Sequence, residues 1–182
     1  MFTRTSRLLL RPGWIEDAPA LARAIDDAAI AKSLVRMPWP YKVEDAARYL
    51  TSQRDPVLPN LVILRRTLGA PQLIGSTGFA RTNDGEVELG FWITRACWGL
   101  GFATEACRAM LDIARHALGL EEIVAASFTS NVAAHHVLAK LGFVPAGQTL
   151  LHCTARDALL PALRFRRPFK EGTNAWQARL AA

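Results

Sequence analysis

The chain has 182 residues, of which 51% are hydrophobic and 21% charged, and its formal net charge is +6. This length and balance are typical of a soluble globular protein of one domain. No apolar run approaches the roughly 18–20 residues that span a bilayer, and the N-terminal apolar run is too short for a signal-peptide core, so we expect a cytoplasmic protein.

The first third of the chain predicts one strand and two helices. Residues 7–11 (RLLLR) read as a short strand. Apolar residues at helical spacing predict a helix over 16–30, after which Pro38 and Pro40 break the pattern. A second helix is predicted over 43–53, because prolines follow it closely.

The middle of the chain predicts three strands and a long helix. Asp84-Gly85 suits a tight hairpin between the last two strands, and Gly119 is the expected C-terminal cap of the helix. The strands are predicted over 61–66, 72–80 and 86–93, and the helix over 102–118.

The last third predicts one more helix and three strands. Ser130 or Asn131 is the expected N-cap of the helix, and Gly142 lies at its end. The helix is predicted over 131–141, and the strands over 122–129, 144–152 and 159–169. The sum is a single α/β domain with a central sheet of about seven strands and about four helices.

A glycine-rich stretch, CWGLGFAT, lies between a strand and a helix. Gly99, Gly101 and Ala103 alternate there. A helix start has unpaired N–H groups and a partial positive charge, and small residues let a phosphate approach the backbone. The stretch therefore predicts a pyrophosphate site. The alternative is a plain strand-to-helix connection whose small residues serve packing.

Two other phosphate-binding motifs fit poorly. The position of the third glycine in a dinucleotide-binding turn is occupied by Thr104, and Glu121 and Glu122 open the next strand, where they would miss a ribose. No lysine follows either glycine, which excludes a P-loop.

The sequence indicates neither disulfides nor a metal site. Cys97, Cys107 and Cys153 form no C-x-x-C pair, and the four histidines have no zinc-ligand spacing. Basic residues gather after Arg156, in the run LRFRRPFK. Such a run can meet nucleic acid, but no nucleic-acid motif surrounds it, so a strand with a solvent face of arginines is the favoured interpretation.

Three segments in order resemble the GNAT acyltransferase superfamily. They are VELGFW, CWGLGFATEA and NVAAHHVLAKLGF, and the opening TSRLLLRPGWIEDAPAL is similar to the RimJ/RimL-type branch of that family. The resemblance covers residues 5–169 and leaves 170–182 as a tail. It implies a mixed, mostly antiparallel twisted sheet, acetyl-CoA as co-substrate and an amine as acceptor. A homodimer is left open.

The resemblance also implies where the co-substrate binds. Pantetheine would lie beside the strand over 86–93, and Asn131 would touch the co-substrate as well as cap its helix. The backbone contacts to pantetheine would come from Phe91, Trp92 and Ile93, and those to the pyrophosphate from Trp98, Gly99, Leu100, Gly101, Phe102, Ala103 and Thr104.

Glu88 is the candidate general base, because resembling enzymes carry a glutamate there that faces the acceptor groove. The alternative is that Glu86 and Glu88 simply alternate on a solvated strand face. An amine that attacks the thioester directly needs no enzyme nucleophile, in keeping with the lack of any Ser/His/Asp or activated-cysteine pattern.

The general acid is less clear from the sequence. Ala134 and Leu138 stand where family members often carry a serine and a tyrosine, so those roles do not transfer. His135 or His136 would be substitutes, or the thiol leaves without help.

Three functions remain open at this point. The first is acetylation of a protein N-terminal amine, and the second is acetylation of a small amine such as a polyamine, an amino acid or an antibiotic. The third is a non-catalytic acyl-CoA-binding or nucleic-acid-associated module. Trp39 and Tyr41 could line an acceptor mouth, although aromatic residues beside prolines more often pack.

Overall fold

The computed structural model describes residues 1–52 and 55–169 and shows one eight-stranded sheet with helices on both faces. The strands are β1 (Thr3–Arg4), β2 (Leu8–Pro12), β3 (Asn60–Arg65), β4 (Gln72–Arg81), β5 (Val87–Ile93), β6 (Glu122–Phe128), β7 (Val144–Cys153) and β8 (Ala158–Pro168). The helices are α1 (Ala18–Ile25), α2 (Ala28–Ala31), α3 (Val43–Thr51), α4 (Phe102–Asp112) and α5 (Val132–Lys140).

The sheet is mixed but mostly antiparallel. Its strand order is β1-β2-β3-β4-β5-β6-β8-β7, and β5 with β6 is the parallel pair in this order. A parallel pair needs a crossover, and α4 provides it. The mixed α/β fold expected from the sequence is confirmed, with an eighth strand, β1, which is only two residues long and carries no pattern.

Each face of the sheet has its own apolar cluster. Helices α4 and α5 cover one face, where Met110, Leu138 and Phe165 are buried with apolar residues of β2 to β6. Helices α1, α2 and α3 cover the other face, but their cluster involves β2, β3 and β4. On β5, β6 and β8 the same face carries the charged side chains of Glu88, Arg164 and Arg166 beside a third, smaller apolar cluster around Phe128, and we call this part of the sheet the polar face.

The prediction of one continuous helix over 16–30 is wrong, because the structure has two separate helices there. A 3-10 turn at Ile15–Asp17 leads into α1, and the chain then breaks before α2. Asp27 is extended, and its side chain accepts the N–H of Ala29 at 2.7 Å, so it caps α2 and ends the earlier helix. Apolar spacing continues across this break, which is why periodicity alone missed it.

The other helix ends follow the sequence closely. The helix predicted over 102–118 is α4 continued by a π-helical turn at Ile113–Ala117, with Gly119 at φ +61° after it. Asn131 caps α5, and Gly142 follows it at φ +80°. The predicted end of α3 at residue 53 and the tail over 170–182 lie outside the described residues.

Candidate active site

Strands β5 and β6 touch at one point and then separate. Glu88 pairs with Val124, and no further pair of residues joins the two strands. On its other edge β5 pairs with β4 from Val87 to Ile93. The edge of Phe91, Trp92 and Ile93 that faces β6 is therefore without a strand partner in the described part of the chain. Apart from the carbonyl of Ile93, which accepts the indole N–H of Trp98, its backbone groups are open to an extended ligand.

Glu88 lies at the start of this opening, on the polar face of β5. Burial raises the pKa of its carboxyl above the ordinary value. The guanidinium groups of Arg36 and Arg164 and the N–H of Ala126 lower the pKa and offset part of that rise. No arginine, lysine or histidine within residues 1–52 and 55–169 forms an ion pair with Glu88.

The neighbouring acids are neutralised by arginines of β8. Arg164 crosses β6 and binds Glu86 of the β5 edge, and Arg166 donates to Glu122 at 2.6 Å and 2.9 Å. Glu86 is thus held in an ion pair, whereas Glu88 keeps a carboxylate that can accept a proton. The sequence predicts a solvent face of arginines, and both side chains are at least 40% exposed, but the alternation of β8 does not reveal their carboxylate partners.

The space beside Gly90, two residues after Glu88 on the same face of β5, is open. A Cβ built on Gly90 would meet no atom within 4 Å, and Gly90 does not have a positive φ. Neither packing nor backbone conformation requires glycine here, and a glycine inside a strand often marks a site where a ligand approaches. The opening therefore continues along β5 on the polar face.

The glycine turn presents a row of backbone donors. Gly99 and Gly101 have φ of +74° and +79°, a region that favours glycine. The backbone N–H groups from Gly99 to Thr104 donate to no acceptor within the described residues. The first hydrogen bond of the helix runs from the N–H of Glu105 to the carbonyl of Gly101. Trp98 differs, since its N–H donates to Arg95 and its indole to the carbonyl of Ile93 at 2.7 Å.

Most residues of α5 that could contribute to catalysis are already hydrogen-bonded or buried in the core. Asn131 Oδ1 accepts the N–H of Ala134 at 3.2 Å, as an N-cap does. His135 Nε2 lies 3.1 Å from the carbonyl of Phe128, so it is tied to the end of β6. His136 is exposed, and Leu138 is buried in the core. No proton donor on α5 is oriented toward the opening by these contacts.

The loop between α2 and α3 (residues 32–42) and the hairpin of β7 and β8 border the polar face. The N–H of Thr154, at the turn between β7 and β8, donates to the carbonyl of Val35 at 3.0 Å. Trp39 is 42% exposed on this loop, whereas Tyr41 belongs to the apolar cluster under α1. Trp39 can therefore line an entrance, and Tyr41 packs instead.

The thiols take no part in this arrangement. All three cysteines are free and buried. Burial raises the pKa of the Cys107 thiol to about 12, and the hydrogen bond with Thr77 offsets only part of this. A neutral, buried thiol is not a nucleophile.

The sequence matches the model of a known protein family. Residues 7–144 match the acetyltransferase (GNAT) domain. The chain belongs to the GNAT acetyltransferase family. Its members transfer an acyl group from acetyl-CoA, so this GNAT protein is an acetyl-CoA-dependent acyltransferase. The resemblance seen in the sequence is thereby confirmed.

Relatives and solved structures agree with the family. Uncharacterized N-acetyltransferase p20 of Bacillus licheniformis is 27% identical over 168 residues, which are 88% of this chain and 92% of p20. Ribosomal-protein-S5-alanine acetyltransferase from Vibrio fischeri has a TM-score of 0.77 at 17% identity, covering 94% of this chain and 98% of that one. RimJ of Mycobacterium smegmatis, solved with CoA-disulfide, has a TM-score of 0.71 at 23% identity, covering 96% and 88%.

The described residues contain neither a membrane-spanning helix nor a metal-binding cluster. No helix there is both long and apolar enough to cross a membrane. No group of three or more histidine, cysteine, aspartate or glutamate side chains in that part of the chain could hold a metal ion.

Acetyl-CoA is expected to stabilise the folded GNAT domain. A ligand that binds only the folded state, at about a hundred times its dissociation constant, adds about 2.7 kcal/mol. A thermal-shift titration should show a rise in Tm with acetyl-CoA and none with NAD as the control. An equal response to both nucleotides would contradict a site built for acetyl-CoA.

Proposed function

We propose that this protein acetylates the α-amino group at the N-terminus of a protein. The observation that carries the proposal is the position of Glu88, a carboxylate without an ion-pair partner in the described residues at the point where β5 and β6 part. Solved structures of the same fold include enzymes named for acetylating a ribosomal protein, which favours this kind of acceptor.

The residues of the two strands and the glycine turn fit acetyl-CoA. Pantetheine would lie along the open edge of Phe91, Trp92 and Ile93. The pyrophosphate would accept hydrogen bonds from the free N–H groups between Gly99 and Thr104. Asn131, at the start of α5, would contact the co-substrate from the other side of the opening.

The reaction needs one proton acceptor. When bound, acetyl-CoA supplies an acetyl group as a thioester, whose carbonyl carbon forms the new C–N bond as the C–S bond breaks. Glu88 would take a proton from the acceptor ammonium, directly or through a water, so that the nitrogen lone pair is available. As the amide forms, the same nitrogen loses a second proton, which balances the proton that the leaving thiolate takes up; α5 offers no positioned donor for that transfer.

The strength of this base favours an α-amine over a lysine side chain. An α-amino group of pKa about 8 is about one-tenth neutral at pH 7, whereas a lysine of pKa about 10.4 is neutral in well under about one molecule in a thousand. A glutamate, even with a raised pKa, is a weak base. It suits an acceptor that is already partly neutral.

Acceptor peptides test the proposal. Acetyl transfer from acetyl-CoA should occur to a peptide with a free N-terminus and not to the same peptide with a blocked N-terminus and one internal lysine. Spermidine serves as the small-amine probe. Transfer to spermidine with no transfer to any peptide would show a small-molecule enzyme, and no transfer to any amine despite acetyl-CoA binding would show a non-catalytic module.

A further inference from the structure

Two guanidinium groups lie at the start of α4, where positive charge is disfavoured. Arg7 lies 4.3 Å and Arg65 5.8 Å from the ring centroid of Phe102, the first residue of the helix. The N-terminus of a helix is itself partly positive and repels cations. The fold thus gathers two cations and the free N–H groups of the glycine turn at one place.

The protein neutralises only part of this charge. Glu105 forms an ion pair with Arg7, with 2.7 Å between Nε and Oε2. Arg65 is exposed and forms no ion pair within the described residues. One carboxylate therefore faces two guanidinium groups and a helix N-terminus, an arrangement that an external anion would stabilise.

Arg7 is held in a fixed orientation with one side left open. Its Nε is bound to Glu105, and its Nη1 donates to the carbonyl of Leu100 at 3.0 Å. Its Nη2 has no acceptor among the described residues and lies 3.5 Å from the place where a Cβ on Gly101 would stand. The open N–H groups thus lie beside the first turn of α4. A guanidinium fixed by two bonds loses little conformational entropy when it binds a third group.

We propose that Arg7, assisted by Arg65, binds the phosphates of acetyl-CoA beside the glycine turn. This rests on the placement of the pyrophosphate given above. Guanidinium groups match phosphate oxygens in both charge and geometry. Arg7 supplies a full positive charge, which the backbone N–H groups of the turn do not. It is distant from the turn in the sequence, since it lies between β1 and β2.

Removal of each charge in turn tests the proposal. The variants are Arg7→Gln and Arg65→Gln, with Arg115→Gln as the matched control, because Arg115 is an exposed arginine at the opposite end of the same helical segment. Calorimetry gives the Kd of CoA and of dephospho-CoA. Kinetics give kcat/KM with acetyl-CoA and with S-acetylpantetheine, which has no phosphate.

Arg7→Gln is expected to weaken CoA binding about tenfold and Arg65→Gln about threefold, since a hydrogen bond to a charged group is stronger than a distant charge. Neither should change kcat/KM with S-acetylpantetheine, and Arg115→Gln should change nothing. If the loss persists with dephospho-CoA, Arg7 binds the pyrophosphate; if it disappears, Arg7 binds the 3′-phosphate.

Two results would overturn the proposal. One is an equal loss with acetyl-CoA and S-acetylpantetheine, which would show that Arg7 only supports the fold. The other is unchanged CoA binding in both variants. Arg65 forms no ion pair that its removal could break, so its variant remains informative if Arg7→Gln folds poorly. CoA binding is measured without an acceptor, so failure of the proposed acceptor leaves the calorimetric part of this test intact.

Discussion

Glu88→Gln is expected to slow acetyl transfer by about 10²–10⁴-fold, the usual contribution of a positioned base. The substitution keeps the shape of the side chain and removes the proton acceptor, so acetyl-CoA binding should stay unchanged. The matched control is Glu86→Gln, two residues away on the same face, whose carboxylate is held by Arg164. Equal kcat for Glu88→Gln and the unmodified enzyme would remove Glu88 from the mechanism.

The pH dependence gives a second measure of the same residue. Glu88 acts as a base only when ionised, so activity should fall as pH falls through its pKa. Burial raises that pKa above the ordinary value, and this acidic limb should therefore lie at a higher pH than for an exposed glutamate. The limb should be absent in Glu88→Gln. A limb that persists in the variant would belong to another group.

The Glu88→Gln substitution should lower activity but leave the stability of the fold unchanged or raise it. A carboxyl whose pKa is raised on folding favours the folded state most below its unfolded pKa, and this contribution is lost as pH rises to the folded value. At pH 7 the buried charge is a cost, so Glu88→Gln should unfold at the same or a higher denaturant concentration than the unmodified protein. A clear loss of stability would mean that the carboxylate has a structural role.

Glu105→Gln is expected to lower the free energy of unfolding by about 2–3 kcal/mol at pH 7. Burial alone would raise the pKa of the Glu105 carboxyl, but hydrogen bonds from Thr5, Arg7 and Ser6 outweigh it and lower the pKa to about 2. The side chain is 15% exposed, so solvent screens these bonds only in part. They attach the segment between β1 and β2 to the first turn of α4.

The sign of the pH effect follows from the lowered pKa. The contribution of Glu105 is fully present above its unfolded pKa near 4.5 and is lost as pH falls toward about 2. Denaturant titrations of the two proteins should thus differ at pH 7 and converge in acid. Asp112→Asn is the control, because Asp112 is an exposed acid on the same helix without an ion pair in the described residues, and it should cost less than about 0.5 kcal/mol.

Local sequence patterns predict the strands, most of the helices and the positive-φ positions of the glycine turn. Period-two and helical spacing are local properties, so every predicted strand was confirmed, and Gly119, Asn131 and Gly142 end or begin helices as expected. The small residues from Gly99 to Ala103 indicated open backbone donors, because only a turn with positive φ needs glycine there. Apolar spacing failed where it runs through a break, at Asp27, since a side-chain cap overrides the pattern.

Tertiary contacts set which of the two acids is held in an ion pair and where the arginines of distant segments meet. Glu86 and Glu88 are equivalent in an alternating strand, and they differ because Arg164 reaches across β6 to one of them. Arg7 and Phe102 are brought together by the packing of α4 on β2, which no local pattern encodes. Ion pairs and close approaches between distant segments depend on register and on helix placement, and these are fixed by the whole core rather than by neighbours in the chain.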